Sequence, residues 1–168
     1  MKNLKNTLLV LFSFFAVSFA NAQEKPKSTP EKATGKINGA TIQINYSSPS
    51  VKGRKIWGEL VPFDAVWRAG ANDATTFETD KDLMIEGAKL PAGKYSFFVI
   101  PNEKESTIIF NTEAKQWGAY KYDEKKDQLR VKVKPKTAGS SAEKLVYTIN
   151  SNDIVLSWDT WNIGFNVK

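Results

Sequence analysis

From Ala40 the chain alternates. In TIQINYS, Ile42, Ile44 and Tyr46 fall on one side and Thr41, Gln43 and Asn45 on the other, the period-two pattern of a half-buried strand. DATTFETD and DLMIEG follow with a polar connection between them, and the aromatic, β-branched GKYSFFVIP begins after the turn signal Leu90-Pro91-Ala92-Gly93. STIIFN, QLRVKVKP, KLVYTIN, DIVLSWD and NIGFNV continue the series. In DIVLSWD the shared face is Ile154, Leu156 and Trp158; in NIGFNV it is Ile163, Phe165 and Val167. About nine or ten short strands divided by polar turns predict an antiparallel all-β single domain, a β-sandwich or jelly roll, with a small closed barrel as the alternative. The expected core is Ile42, Ile44, Phe97, Val99, Ile109, Val131, Val133, Ile154, Leu156, Trp158, Ile163 and Phe165.

The chain begins differently. Lys2 and Lys5 precede an apolar run from Leu8 to Phe19, and Ala20-Asn21-Ala22 places small residues where a signal peptidase reads. Residues 1–22 therefore read as a secretory signal peptide, and the product as a soluble protein of the periplasm or the extracellular space. The run falls short of the ~20 apolar residues that span a bilayer. An outer-membrane barrel is excluded on charge, since a quarter of the residues are Asp, Glu, Lys or Arg and lipid-facing strands need matching apolar bands. QEKPKSTPEKATGK, residues 23–36, offers only Ala33 as an apolar side chain and reads as a disordered lead. The β domain is then 37–168.

Composition removes much chemistry. The chain has no cysteine and no histidine, so disulfides, zinc sites and Ser-His or Cys-His catalysis are closed to it. No cofactor and no metal are expected, because the acidic run YDEKKD lacks the glycine and ligand spacing of a calcium loop. The net charge is +6, with two units contributed by Lys2 and Lys5, and a basic balance favours acidic partners. The stripe Arg130, Lys132, Lys134 reads as a solvated strand face that discourages edge pairing, not as a nucleic-acid groove.

One stretch breaks the alternation. GRKIWGELVPFDAVWRAGAND, residues 53–73, mixes two tryptophans, two arginines and three glycines without a period. A connection of roughly seventeen residues is unusual in a compact domain unless it packs on itself or binds something. Trp57 and Phe63 can cap one end of the sandwich. Trp67 and Arg68 must face opposite ways on a strand, with Trp67 inward as the ordinary outcome. Arginine forks suit carboxylates and indole faces suit rings, so Arg54, Trp57, Trp67, Arg68 and Asn72 are the expected lining of a ligand site. In KQWGAYKYDEKKD, Trp117, Tyr120 and Tyr122 sit among charges, and Tyr120 and Tyr122 on one strand face would make a stacking platform for sugars.

The run INYSSPSVKGRKIWGELVPFDAVWRAGANDATTFE, followed in order by LPAGKYSFFVIP, IIFN, QWGAYKYDEKKDQLRVKVKP and LSWD, resembles the secreted domain-of-unknown-function 2911 family over almost the whole chain after residue 22. The resemblance implies a compact extracytoplasmic β domain of bacteria such as the Bacteroidetes. It brings no activity, ligand or catalytic residue with it.

The leading functional reading is a non-enzymatic binding module for a glycan or another polar, anionic small molecule. A hydrolase would need a carboxylate pair drawn from Asp64, Asp73, Glu78 and Asp80, and their spacing singles out no pair. A structural subunit of an envelope assembly would use the same exposed aromatics on a protein partner. Export is expected to remove residues 1–22, so N-terminal sequencing of the exported protein should begin at Gln23; a start at Met1 in export-competent cells would refute the reading.

Overall fold

The computed structural model describes residues 28–168. The predicted signal peptide and residues 23–27 of the predicted lead lie outside them. The strands are β1 (Thr29–Ile37), β2 (Ala40–Ser48), β3 (Thr75–Thr79), β4 (Leu83–Ile85), β5 (Ala88–Leu90), β6 (Gly93–Ile100), β7 (Ser106–Asn111), β8 (Asp127–Val133), β9 (Lys136–Ile149) and β10 (Asp153–Asn166). Six of them form one antiparallel sheet in the order β1-β2-β3-β6-β7-β8. β9 and β10 form a long hairpin and β4 and β5 a short one. The sheet is open, an all-β sandwich and not a closed barrel.

The main core lies between the large sheet and the β9–β10 hairpin. Ile42, Ile44, Phe77, Phe97, Val99, Phe110, Val131 and Val133 from the sheet meet Leu145, Tyr147, Ile154, Leu156, Trp158, Ile163 and Phe165 from the hairpin. Every predicted core residue is buried. Ile109 faces the other way, into a smaller cluster with Phe98 and Ala74 on the opposite side of the sheet. β7 is buried at all six positions, because segments 65–74 and 117–122 cover the face that the hairpin does not. Coverage on both faces explains why FFVI and TIIF run apolar without alternating.

Three expectations need correction. Thr29–Lys36 is not a disordered lead: β1 pairs with β2 at every position from Thr29↔Ser48 to Ile37↔Ala40. An edge strand needs little apolar content, since the ladder is satisfied by backbone and its outward side chains stay wet. The missed signal was Asn38-Gly39, whose φ values of 49° and 77° make the two-residue primed turn favoured in hairpins. The predicted KLVYTIN strand extends back to Lys136 through KTAGSSAE, largely exposed and so without a pattern to read.

DIVLSWD and NIGFNV are one strand, not two. Buried positions are even up to Trp158 and odd from Ile163, and the slip is absorbed by register shifts between Ser157 and Trp161, with Asp159 at φ 49°. A bulge of this kind turns the same strand face back to the core after the slip. Trp158, immediately before the bulge, is 1% exposed. Replacing it with Ala should cost about 3–5 kcal/mol; a Trp158→Ala variant whose urea midpoint matches wild type would contradict the packing.

Candidate functional site

Segment 49–74 is ordered from end to end. Its start pairs with β9, through Leu145 N to Pro49 O at 3.0 Å and Val51 N to Glu143 O at 2.7 Å. A tight turn follows, in which Val61 N donates to Ile56 O and Gly58 N to Val61 O, both at 2.9 Å. Gly58 sits at φ 84°, and a Cβ there would lie 2.9 Å from the Phe63 ring, so the turn needs glycine both for its backbone and for space. Trp67 then exchanges backbone hydrogen bonds with Val99 of β6 in both directions. Since Thr75 of β3 pairs with Phe97 of the same strand, residues 68–74 loop out of the β3 line, and Thr75 N closes the loop on Arg68 O at 3.2 Å.

Four indoles fasten this segment to β10. Trp57 stacks on Trp161 with centroids 4.7 Å apart and meets Trp67 edge to face at 5.7 Å. Trp67 stacks on Trp158 at 5.8 Å, and Phe63 on Trp161 at 5.7 Å. The loop carbonyl of Ala69, a residue at φ 53°, accepts from Thr75 Oγ1 at 2.9 Å and from the Tyr147 hydroxyl at 2.8 Å. Trp67 Nε1 donates to Gly70 O at 3.2 Å.

Beside this cluster opens a cavity of about 450 Å³, lined by Arg54, Arg68, Lys52, Trp67, Trp158 and neighbouring loop residues. None of the described residues lining it is acidic, and Glu143 Oε1 accepts from the backbone N of Lys52 at 3.0 Å. Arg54 is held by its own loop, Nε to Val51 O at 3.1 Å and Nη2 to Ser50 O at 2.5 Å. Arg68 Nε is buried and has no acceptor among the described residues, and the same is true of Trp158 Nε1. An uncompensated buried donor costs about 1–3 kcal/mol, and the Arg68 guanidinium extends as far as the outer turn, with Nη1 3.9 Å from where a Cβ of Gly118 would stand.

Of the five residues expected to line a ligand site, Arg54, Trp67 and Arg68 border this cavity. Trp57 does not: it is turned inward between Trp67 and Trp161 and is 6% exposed. Asn72 does not line the cavity either; it sits at φ 58° and its Nδ2 donates to Ser47 Oγ at 3.3 Å. Lys52 and Trp158 were missed as lining. Trp158 was legible only as core, because the bulge that places it beside the loop has no local sequence sign.

The family model described as "Protein of unknown function (DUF2911)" matches residues 28–167, from the residue before β1 to the one after β10. The chain belongs to the DUF2911 family. No curated protein and no solved structure matches it.

In this DUF2911 domain the four carboxylates considered for hydrolysis do not converge. Asp64 accepts from Asn102 Nδ2 at 2.8 Å, Glu78 pairs with Lys94 at 3.5 Å, and Asp80 accepts from Thr41 N at 2.7 Å, which holds its carboxyl below the usual range. Asp73 shares a second cavity, about 690 Å³, with Glu31, and both are solvent-exposed. Tyr120 and Tyr122 do not share a strand face, because residues 118–121 form a turn. Tyr122 packs against Phe98 with centroids 5.1 Å apart and donates to Asp127 Oδ2 at 2.5 Å, while Tyr120 faces solvent.

The Tyr147 hydroxyl that anchors the loop carries a pH signature. Burial raises its pKa well above the ordinary 10.0, and burial also raises Tyr46, which meets Tyr147 edge to face at 4.8 Å. The folded state therefore favours the neutral phenols. Their contribution is fully present below pH 10, where the unfolded chain begins to ionise, and is lost as pH rises toward the folded values. Tyr147→Phe should cost about 0.5–1.5 kcal/mol at neutral pH through its hydrogen bond and should flatten the fall in melting temperature between about pH 8 and about pH 11. An unchanged alkaline slope would show that Tyr147 is not held neutral by the fold.

Proposed function

We propose that the protein is a non-enzymatic binding module, acting in the periplasm or outside the cell, and that its ligand is a small carboxylated molecule, with acidic sugars the best fit. The observation that carries the reading is a cavity whose lining, among the described residues, holds Arg68, Arg54 and Lys52 and no acid, with the Arg68 Nε buried and unpartnered. A carboxylate would accept from the guanidinium groups, and Trp67 and Trp158, both largely buried, give the cavity an apolar wall that suits the apolar face of a sugar ring. Because Arg54 is already fixed by two backbone carbonyls, little ordering remains to oppose binding.

Calorimetric titration with galacturonate and glucuronate, with glucose as the neutral control, tests this. The uronates should bind and glucose should not. Arg54→Ala or Arg68→Ala should weaken uronate binding by about 1.5–3 kcal/mol, the range of hydrogen bonds to charged groups. Absence of uronate binding, or equal affinity in both variants and wild type, would overturn the proposal.

A further inference from the structure

A second surface is built for a ligand that the cavity does not explain. Of the five tryptophans in the chain, Trp117 alone is left largely in solvent, 63% exposed, and Tyr120 three residues on is 84% exposed. Both line a depression of about 550 Å³ together with Glu113, Gln116, Lys115, Lys121 and Lys126, three cations to one acid. Large aromatic faces left wet are unfavourable, and two in one short turn call for an explanation.

The turn that carries them is rigid. Trp117 bridges to Asp73, Ala74 N donates to Gln116 O at 2.9 Å, and Gly118 N donates to Asn72 O at 3.2 Å. Gly118 lies at φ 63° with the Tyr120 ring so close that a Cβ would sit 3.0 Å from it. On the far side, Tyr122 is anchored on Phe98 and Asp127. Beneath the aromatics, Gln116 is more than nine-tenths buried. Its Nε2 donates to Glu113 O at 2.9 Å, Ser96 Oγ at 3.1 Å and Asn111 Oδ1 at 3.2 Å, whereas its Oε1 is buried without a donor among the described residues. A fixed backbone and outward rings suit a ring that stacks on them.

We infer that Trp117 and Tyr120 form a stacking shelf for pyranose units of an acidic polysaccharide, a site separate from the arginine cavity. Aromatic faces pack against the C–H faces of pyranose rings. The acidic character follows from the rim. Lys126 is paired with Glu113 at 2.8 Å, but Lys115 and Lys121 are exposed cations on the same lining. Anionic groups spaced along a chain would meet them while the rings stack.

Affinity electrophoresis of the purified protein through gels containing polygalacturonate, dextran sulfate or neutral xylan tests the shelf. Retardation is expected in polygalacturonate or dextran sulfate, the two distinguishing carboxylate from sulfate, with weaker retardation in xylan. Trp117→Ala and Tyr120→Ala should each reduce the affinity tenfold or more and Trp117→Phe should restore most of it, and the same drop should appear in an Arg54→Ala background, where any contribution of the cavity is already weakened. Tyr120 is so exposed that its removal leaves folding intact, which keeps the test independent of stability. Retardation that Arg54→Ala abolishes and the aromatic variants do not would place polysaccharide binding in the cavity and overturn the shelf. Retardation indifferent to both aromatics and erased by moderate salt would show charge attraction alone, and no retardation in any gel would equally refute it.

Discussion

Contact among Trp57, Trp67, Trp158 and Trp161 is the constraint on which the rest of the molecule rests. A segment from Pro49 to Ala74, without a strand of its own, would lose far more conformational entropy on ordering than its few backbone bonds return. Large buried aromatics meet that cost, and their mutual geometry of stacked and edge-to-face pairs adds to simple area burial. Trp158 and Trp161 stand on either side of the β10 bulge, so the strand irregularity and the long loop are two halves of one arrangement. The bulge turns the indoles toward the loop, and the loop gives the bulge its cover.

The arginines inherit their positions from that arrangement. Arg68 follows Trp67 directly and is carried out of the β3 line at the point where the indole is locked to Val99 and Trp158. Ala69, next in sequence, is tied by its carbonyl to Tyr147 of the opposite sheet. Three consecutive residues of this short stretch therefore supply core, cavity lining and, through a carbonyl, anchor. Arg54 is placed by a different device, folding its guanidinium back on the carbonyls of its own turn. The two cations line one cavity although they come from unrelated local structures.

The sequence disclosed the fold where one face of a strand is wet and the other dry. TIQINYS, DIVLSWD and NIGFNV showed their inward residues by parity, and GKYSFFVIP and STIIFN by apolar runs. It concealed β1 and the first half of β9, because strands with exposed faces are held by backbone pairing, which leaves no apolar trace. It concealed the continuity of β10, because parity reverses across Asp159. For the site, composition alone pointed to the segment containing Arg54, Trp67 and Arg68. Trp57, expected at the site, sinks into the core, and Trp158, in the core as expected, also borders the cavity, since neither placement depends on sequence neighbours. Trp117 was visible as an aromatic among charges, but the direction of each ring in KQWGAYKY depends on the turn at Gly118.

The indole cluster has a consequence for light as well as for packing. Four tryptophans with centroids between 4.7 and 6.1 Å along their chain of contacts are close enough to share electronic excitation, so they act as one coupled chromophore set in an apolar medium. Trp117 stands outside it in water. The protein thus carries two optically distinct populations of one residue type, a collective, shielded one at the arginine cavity and a solitary, solvated one at the outer turn.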